Sequence, residues 1–333
     1  MKNKNEKIVV STHSFLVVIC LSEKLEVTDH LVVNKGHHYG VALGDEYFVS
    51  KNKDKFFEKR KYEKPYESVN RVEPPVQGKE IHQICFANSG YYVADTYNNR
   101  VIYFKENNEV LHVHNLYSFD DDYNHVNSVF PCGNIIFALL HNHGREPSEI
   151  VALRHTPSRG FSRVRGLRLW HEGCHNIFLD DEHLYYNASG NGYFVVANTS
   201  TGEVVKKVEL NGHTKGMAVF GDTILVGVSE FAQQEDRPEA RGLIAILDRS
   251  SLNLKSMVDV NFDTLPRPIG NINEIRCLTG GDEAHSRRCH TRLHEMASLN
   301  SSSPLECIKN YKSRILHHLR MDWRRLVPSQ LRA

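Results

Sequence analysis

The 333-residue chain is 40% apolar and carries 41 Lys and Arg against 40 Asp and Glu, a formal net charge of +1. That apolar share fills an ordinary globular core and excludes disorder throughout. Near-neutrality excludes a global field that recruits nucleic acid or anionic membrane, so any such binding has to be local.

In chain order, the first segment is MKNKNEK followed by IVVSTHSFLVVIC, a basic and then apolar run like the start of a secretory signal. His13 and Ser14 interrupt the apolar run, no small-residue cleavage site follows Cys20, and alternation continues into KLEVTDHLVV. A strand of the mature fold is therefore expected here. No stretch approaches the roughly 18 uninterrupted apolar residues that span a bilayer. The seven scattered cysteines, an odd number, fit reduced thiols in a cytoplasm better than a disulfide framework.

From residue 8 to 277, short alternating strands are separated by Gly, Asn and Asp, with scarcely any helical spacing. Six units share one plan: a polar cluster, a few apolar positions, a turn and a second strand. They start at His37, Glu80, His125, Gly173, His213 and Asn271, at separations of 43, 45, 48, 40 and 58 residues. Those spacings suit four-stranded propeller blades. The last unit keeps only its first strand, whereas KIVVST, FLVVICLS and KLEVTDHLVV precede the first unit without partners. Joining them gives an all-β, six-bladed β-propeller over 8–277, closed by its N-terminal strands so that no sheet edge stays open.

In the Glu80 unit the stretch ADTYNNRVIYF resembles the NHL-type repeat, in which an Asp-containing turn precedes an Asn-Arg pair and another strand. YYVADTYNNRVIYF is also similar to the corresponding hairpin of the peptidyl-hydroxyglycine lyases, six-bladed NHL-like enzymes. A WD-repeat pattern fits less well: Gly36-His37 and Gly212-His213 lie near blade starts, but the terminal Trp-Asp pairs are missing.

If the first strands line the axis, residues two apart face the same way. The same-facing pairs are then His37 and Tyr39, Glu80 and His82, His125 and Asn127, Gly173 and His175, His213 and Lys215, and Asn271 and Asn273. With 20 His in 333 residues, twelve random positions would hold fewer than one, yet five of these pairs contain one. Neutral imidazoles ligate divalent metals, and three of them with an open position leave room for an activated water or a substrate carbonyl. The candidate metal ligands are thus His37, His82, His125, His175 and His213. The resemblance to the lyases, which bind metal through blade-start histidines, implies that His82, His125, His175 and His213 come first. The catalytic Tyr and Arg of that family have no matching motif here, so Tyr39 and Lys215 are catalytic candidates by location, with Glu80, Asn127, Asn271 and Asn273 as ligand-binding ones.

Two other readings stay open. The histidines could be structural bridges between blades, in a channel that simply holds water. The propeller could equally be a non-catalytic NHL-like module that binds a protein or glycan through loops such as 230–242. Nucleic acid is not expected, because no basic stripe interleaved with aromatics occurs in the blades. Asp95, Asn98, Asn99 and Arg100 read as turn structure, as does the Asp run 120–122.

After Cys277 the alternation stops. Residues 278–303 read as a polar linker with a weak metal-like spacing at His285, Cys289, His290 and His294. Residues 304–327 read as a basic amphipathic helix with Ile308, Tyr311, Ile315, Leu319, Trp323 and Leu326 at helical spacing.

Overall fold

The computed structural model describes residues 6–52, 57–74, 78–106, 111–117, 122–180, 183–199, 201–282, 285–286 and 289. The expected C-terminal helix lies outside these residues, as do His290 and His294.

Alternating β-branched and aromatic residues form strands at every expected place. They begin with β1 (Glu6–Thr12), β2 (Phe15–Leu21) and β3 (Val27–Lys35). The next sheet holds β4 (His38–Leu43), β5 (Tyr47–Asn52), β6 (Phe57–Lys61) and β7 (Ser68–Val72). It is followed by β8 (Ile81–Ala87), β9 (Gly90–Asp95), β10 (Arg100–Phe104) and β11 (Leu111–Asn115). Then come β12 (Val126–Cys132), β13 (Ile135–Leu140), β14 (Pro147–Thr156) and β15 (Gly160–Glu172). The fifth sheet is β16 (Cys174–Leu179), β17 (His183–Ala188), β18 (Tyr193–Asn198) and β19 (Val204–Glu209). The sixth is β20 (His213–Phe220), β21 (Thr223–Ser229), β22 (Gly242–Asp248) and β23 (Leu254–Asp259).

The last strand, β24 (Ile272–Cys277), pairs antiparallel with β1, giving the sheet order β24-β1-β2-β3. One C-terminal and three N-terminal strands therefore complete a six-bladed propeller, as the orphan strands required. The inner strands are β4, β8, β12, β16, β20 and β24, and apolar layers such as Ile8, Val17, Leu225, Ile246 and Ile275 fill the space between successive blades.

Every inner strand carries a register shift against its neighbour. The positions passed over are Tyr39 and Gly40, His82, Asn127, Asn176, Lys215 and Gly216, and Asn273. Such bulges bend a strand, re-aim side chains and leave backbone groups without ladder partners. Side chains of neighbouring blades satisfy them. Ser128 Oγ accepts from Asn176 N at 2.9 Å, Asn176 Oδ1 accepts from Gly216 N at 2.7 Å, and Asn273 Nδ2 donates to His38 O at 2.7 Å.

At the C-terminal ends of the inner strands lie residues 281, 282, 285, 286 and 289. Asp282 Oδ2 accepts from Leu43 N at 2.9 Å and Phe86 N at 3.0 Å, and Gly133 N donates to Ser286 Oγ at 2.9 Å. Cys289 Sγ donates to Leu179 O at 3.3 Å, so the segment ties together four blades. Above it, Glu274 accepts from Gln83 Nε2 at 2.6 Å and pairs with Arg276 at 3.4 Å, a buried polar belt across the channel.

Candidate functional site

The opposite end of the axis is formed by the starts of the inner strands and by the turns between each blade's second and third strands. Here the side chains form an arc of rings. Centroid separations are 4.0 Å for His13 and His37, 4.1 Å for His37 and Tyr39, and 5.1 Å for Tyr39 and His82. The arc continues at 4.8 Å to His125, 5.2 Å on to His141, 4.8 Å to His175 and 5.9 Å to His213. All five histidines expected at the mouth are in this arc. His13, His141 and His143 join it from turns that sequence reasoning passed over. The detectable sign was topological: in a propeller, the turn between second and third strands returns to the end where the first strand starts.

Burial governs the electrostatics. It pushes His82, His141 and His175 well below the usual imidazole range, with Lys215 and neighbouring histidines adding to the effect. For the same reasons His213 falls to about 3. These rings are neutral at physiological pH, each with one donor and one acceptor nitrogen. The Nδ1 atoms of His82 and His141 are buried without a hydrogen-bond partner, whereas His175 Nδ1 lies 2.8 Å from Ser189 Oγ.

Lys215 sits in the β20 bulge beside Gly216, whose φ of +79° is open to glycine at little strain. It is 9% exposed, and burial, then Arg237, push its amine down to about 7 against the partial opposition of Glu274. Burial and then the charge of Glu80 raise the Tyr39 phenol, which stays protonated. Asn127 and Asn273 spend their amide N–H groups on Cys174 O at 2.9 Å and His38 O at 2.7 Å. Their Oδ1 atoms, and that of Asn271, are buried and unpartnered. Glu80 is exposed at the rim.

On one side of the arc, Asp122, His125 and His143 bring one ligand atom each to within 4.8 Å of one another, a group that could hold a metal ion. His125 Nδ1 is 2.7 Å from Asp122 Oδ1, and His143 Nε2 is 2.9 Å from Asp122 Oδ2. All three residues have left-handed backbone, with φ of 59°, 50° and 50°. Strain of this kind, about 1–3 kcal/mol per residue, persists where surrounding structure enforces it and clusters at functional sites. Burial lowers the His125 pKa although Asp122 opposes it. Against the upward push of burial, bonds and charge from His125 and His143 hold the Asp122 carboxyl below its ordinary range. The turn between β9 and β10 builds this corner. Tyr97 O accepts from Asp122 N at 2.6 Å, and Asn99 Oδ1 accepts from Asn124 N at 2.9 Å and His125 N at 3.0 Å. Asp95, underneath, accepts from Lys79 N at 2.7 Å and pairs with Arg100.

No family model and no curated protein matches the chain. Solved structures do match it in fold. A protein of unknown function from Bacteroides caccae aligns at TM-score 0.59 and 11% identity over 83% of this chain and 100% of its own. A structure of a nidogen/laminin complex aligns at TM-score 0.60 and 9% identity over 82% of this chain and 98% of that one. The WD40 β-propeller domain of Doa1 aligns at TM-score 0.52 and 12% identity over 77% and 79%. At these identities the similarity is one of fold: a β-propeller.

Proposed function

We propose that the protein binds a small polar molecule in the histidine-lined axial mouth and that a divalent metal, held by Asp122, His125 and His143, equips it for lyase or hydrolase chemistry. The observation that carries this reading is the Asp122–His125–His143 group, whose ligand atoms lie within 4.8 Å on strained backbone beside neutral histidines. Two imidazoles and a carboxylate are a donor set that leaves positions open for water or substrate. A metal there supplies Lewis-acid polarisation of a substrate oxygen or a water acidified toward neutrality. The chain's own residues do the rest. Lys215, with its pKa near 7, moves a proton; Tyr39 donates a hydrogen bond from its phenol; His82 and His141 offer unpartnered nitrogens to the ligand. The NHL- and lyase-like character of the 91–104 hairpin supports the same reading, since that turn holds the Asp122 and His125 backbone. A cytoplasmic setting goes with it: the thiols of Cys20, Cys85, Cys174, Cys277 and Cys289 are buried and unbridged.

The test is metal content by inductively coupled plasma mass spectrometry on purified wild type, on Asp122→Asn and on the His82, His125 and His175 triple alanine variant. Near-stoichiometric metal in wild type and its loss in both variants support the reading. Metal-free wild type after growth with divalent-metal supplementation rejects it.

A second reading, a protein- or glycan-binding module, draws on the loop between β21 and β22, where Phe231 is 60% exposed. One structural neighbour is a nidogen/laminin complex. Pull-down with and without that loop tests it. No helix of the described residues is long and apolar enough to cross a membrane.

A further inference from the structure

Among the described residues, the mouth contains two cations without counter-ions. Lys215 is more than nine-tenths buried, and among the described residues its ammonium forms no hydrogen bond or ion pair. The Arg237 guanidinium likewise has neither, and its Nε is buried without a partner. Arg237 is held there by its backbone: Arg237 O accepts from Asn271 N at 2.9 Å, and Pro238 O accepts from Ser14 Oγ at 2.7 Å. This pins the β21–β22 loop against the start of β24 and the His13 turn. The two cations are near enough that Arg237 disfavours charge on Lys215, and both disfavour it on His213. The buried carboxylate of Glu274, whose charge favours the ammonium, is taken up by Gln83 and Arg276.

Uncompensated buried charge is costly, and a bound anion would offset it at the buried Lys215 and the half-buried Arg237. We propose that Lys215 and Arg237 form the anchor for an anionic group, the carboxylate of a small organic acid bound in the axial mouth. A guanidinium offers a planar fork that matches a carboxylate, and a lysine offers a point charge beside it. A carboxylate's two coplanar oxygens match the guanidinium fork, and the phosphate arm of the experiment separates it from the other anion that such a pair of cations would take. This rests on the reading of the mouth as a ligand site and adds its substrate class: the carboxylate at the Lys215 side, the reacting oxygen toward Asp122, His125 and His143.

The experiment uses the full chain and follows acetylation of Lys215 by acetic anhydride with peptide mass spectrometry. Acetate, pyruvate and benzoate are the carboxylate probes, inorganic phosphate the competing anion, and chloride the ionic-strength control. At least one carboxylate should slow Lys215 labelling saturably where chloride does not. Half-protection in Arg237→Gln should need about tenfold more of it, with Arg237→Lys recovering part of the effect. Circular dichroism of each variant checks that it is folded. No protection by any carboxylate, protection by phosphate alone, or equal protection in folded Arg237→Gln overturns the proposal. Metal content is read on the same samples. Protection without metal sustains the anchor and rejects the metal centre, whereas metal without protection rejects the anchor alone.

Discussion

Asn99 links the turn that stands out in the sequence to the group that stands out in the structure. Its Oδ1 takes two backbone N–H groups, those of Asn124 and His125. In Asn99→Ala both donors lose their partner in a buried setting, at about 1–3 kcal/mol each. We expect a lower urea midpoint and weaker metal retention in that variant, even though Asn99 is not a ligand. The histidines predict a pH dependence of stability. A histidine whose folded pKa lies below its unfolded one binds fewer protons when folded, so stability falls as pH drops below about 6.5. The loss continues until the folded groups titrate, near 3 for His213. His213 faces His175, Lys215, Arg237 and His13, and the last three oppose its protonation. Urea unfolding between neutral and acid pH should show this decline, and a His213→Asn variant should show a shallower one; identical slopes would remove His213 from the account.

The strands, their grouping and the closing pair β1–β24 were legible, because alternation with period two is written directly in the residues. What alternation could not show was the bulge in every inner strand. In the fifth blade the sequence pairing took Gly173 with His175, but the ladder shift falls at Asn176, so His175 is the counterpart of His38, Ile81, Val126, Thr214 and Ile272. A bulge leaves no mark on hydrophobic periodicity where the extra residue is polar. Likewise Asp122 and His143 meet His125 only because a blade-connecting segment and a second hairpin share one end of the ring. Gly216 gives the element-scale prediction. Its φ of +79° and the 3.0 Å approach a Cβ would make to Ile272 Cγ2 disfavour alanine. Gly216→Ala should cost about 1–3 kcal/mol and shift the pH at which Lys215 becomes reactive, read by labelling rate against pH. An unchanged profile would mean that the bulge does not position Lys215.

At the scale of the whole molecule, the two ends of the axis have different tasks. One is sealed by Asp282, Ser286 and Cys289; the other gathers neutral histidines, the cations Lys215 and Arg237, and the Asp122–His125–His143 group that could hold a metal ion. Asp282 holds the seal through Leu43, Phe86 and Arg276, the last at 3.7 Å. Its removal leaves the Leu43 and Phe86 amides without an acceptor while Arg276 keeps Glu274, so Asp282→Ala should lose about 1–3 kcal/mol per amide by denaturant unfolding while metal retention at Asp122, His125 and His143 is unchanged. The proposed metal site is Asp122, His125 and His143, not the wider ring of histidines. Cobalt(II) titration followed by its visible ligand-field bands tests it most directly, on wild type, His143→Gln and His213→Gln. The account predicts one cobalt per chain in wild type and His213→Gln, with the bands weakened or lost in His143→Gln. Bands that survive in His143→Gln and vanish in His213→Gln would contradict it.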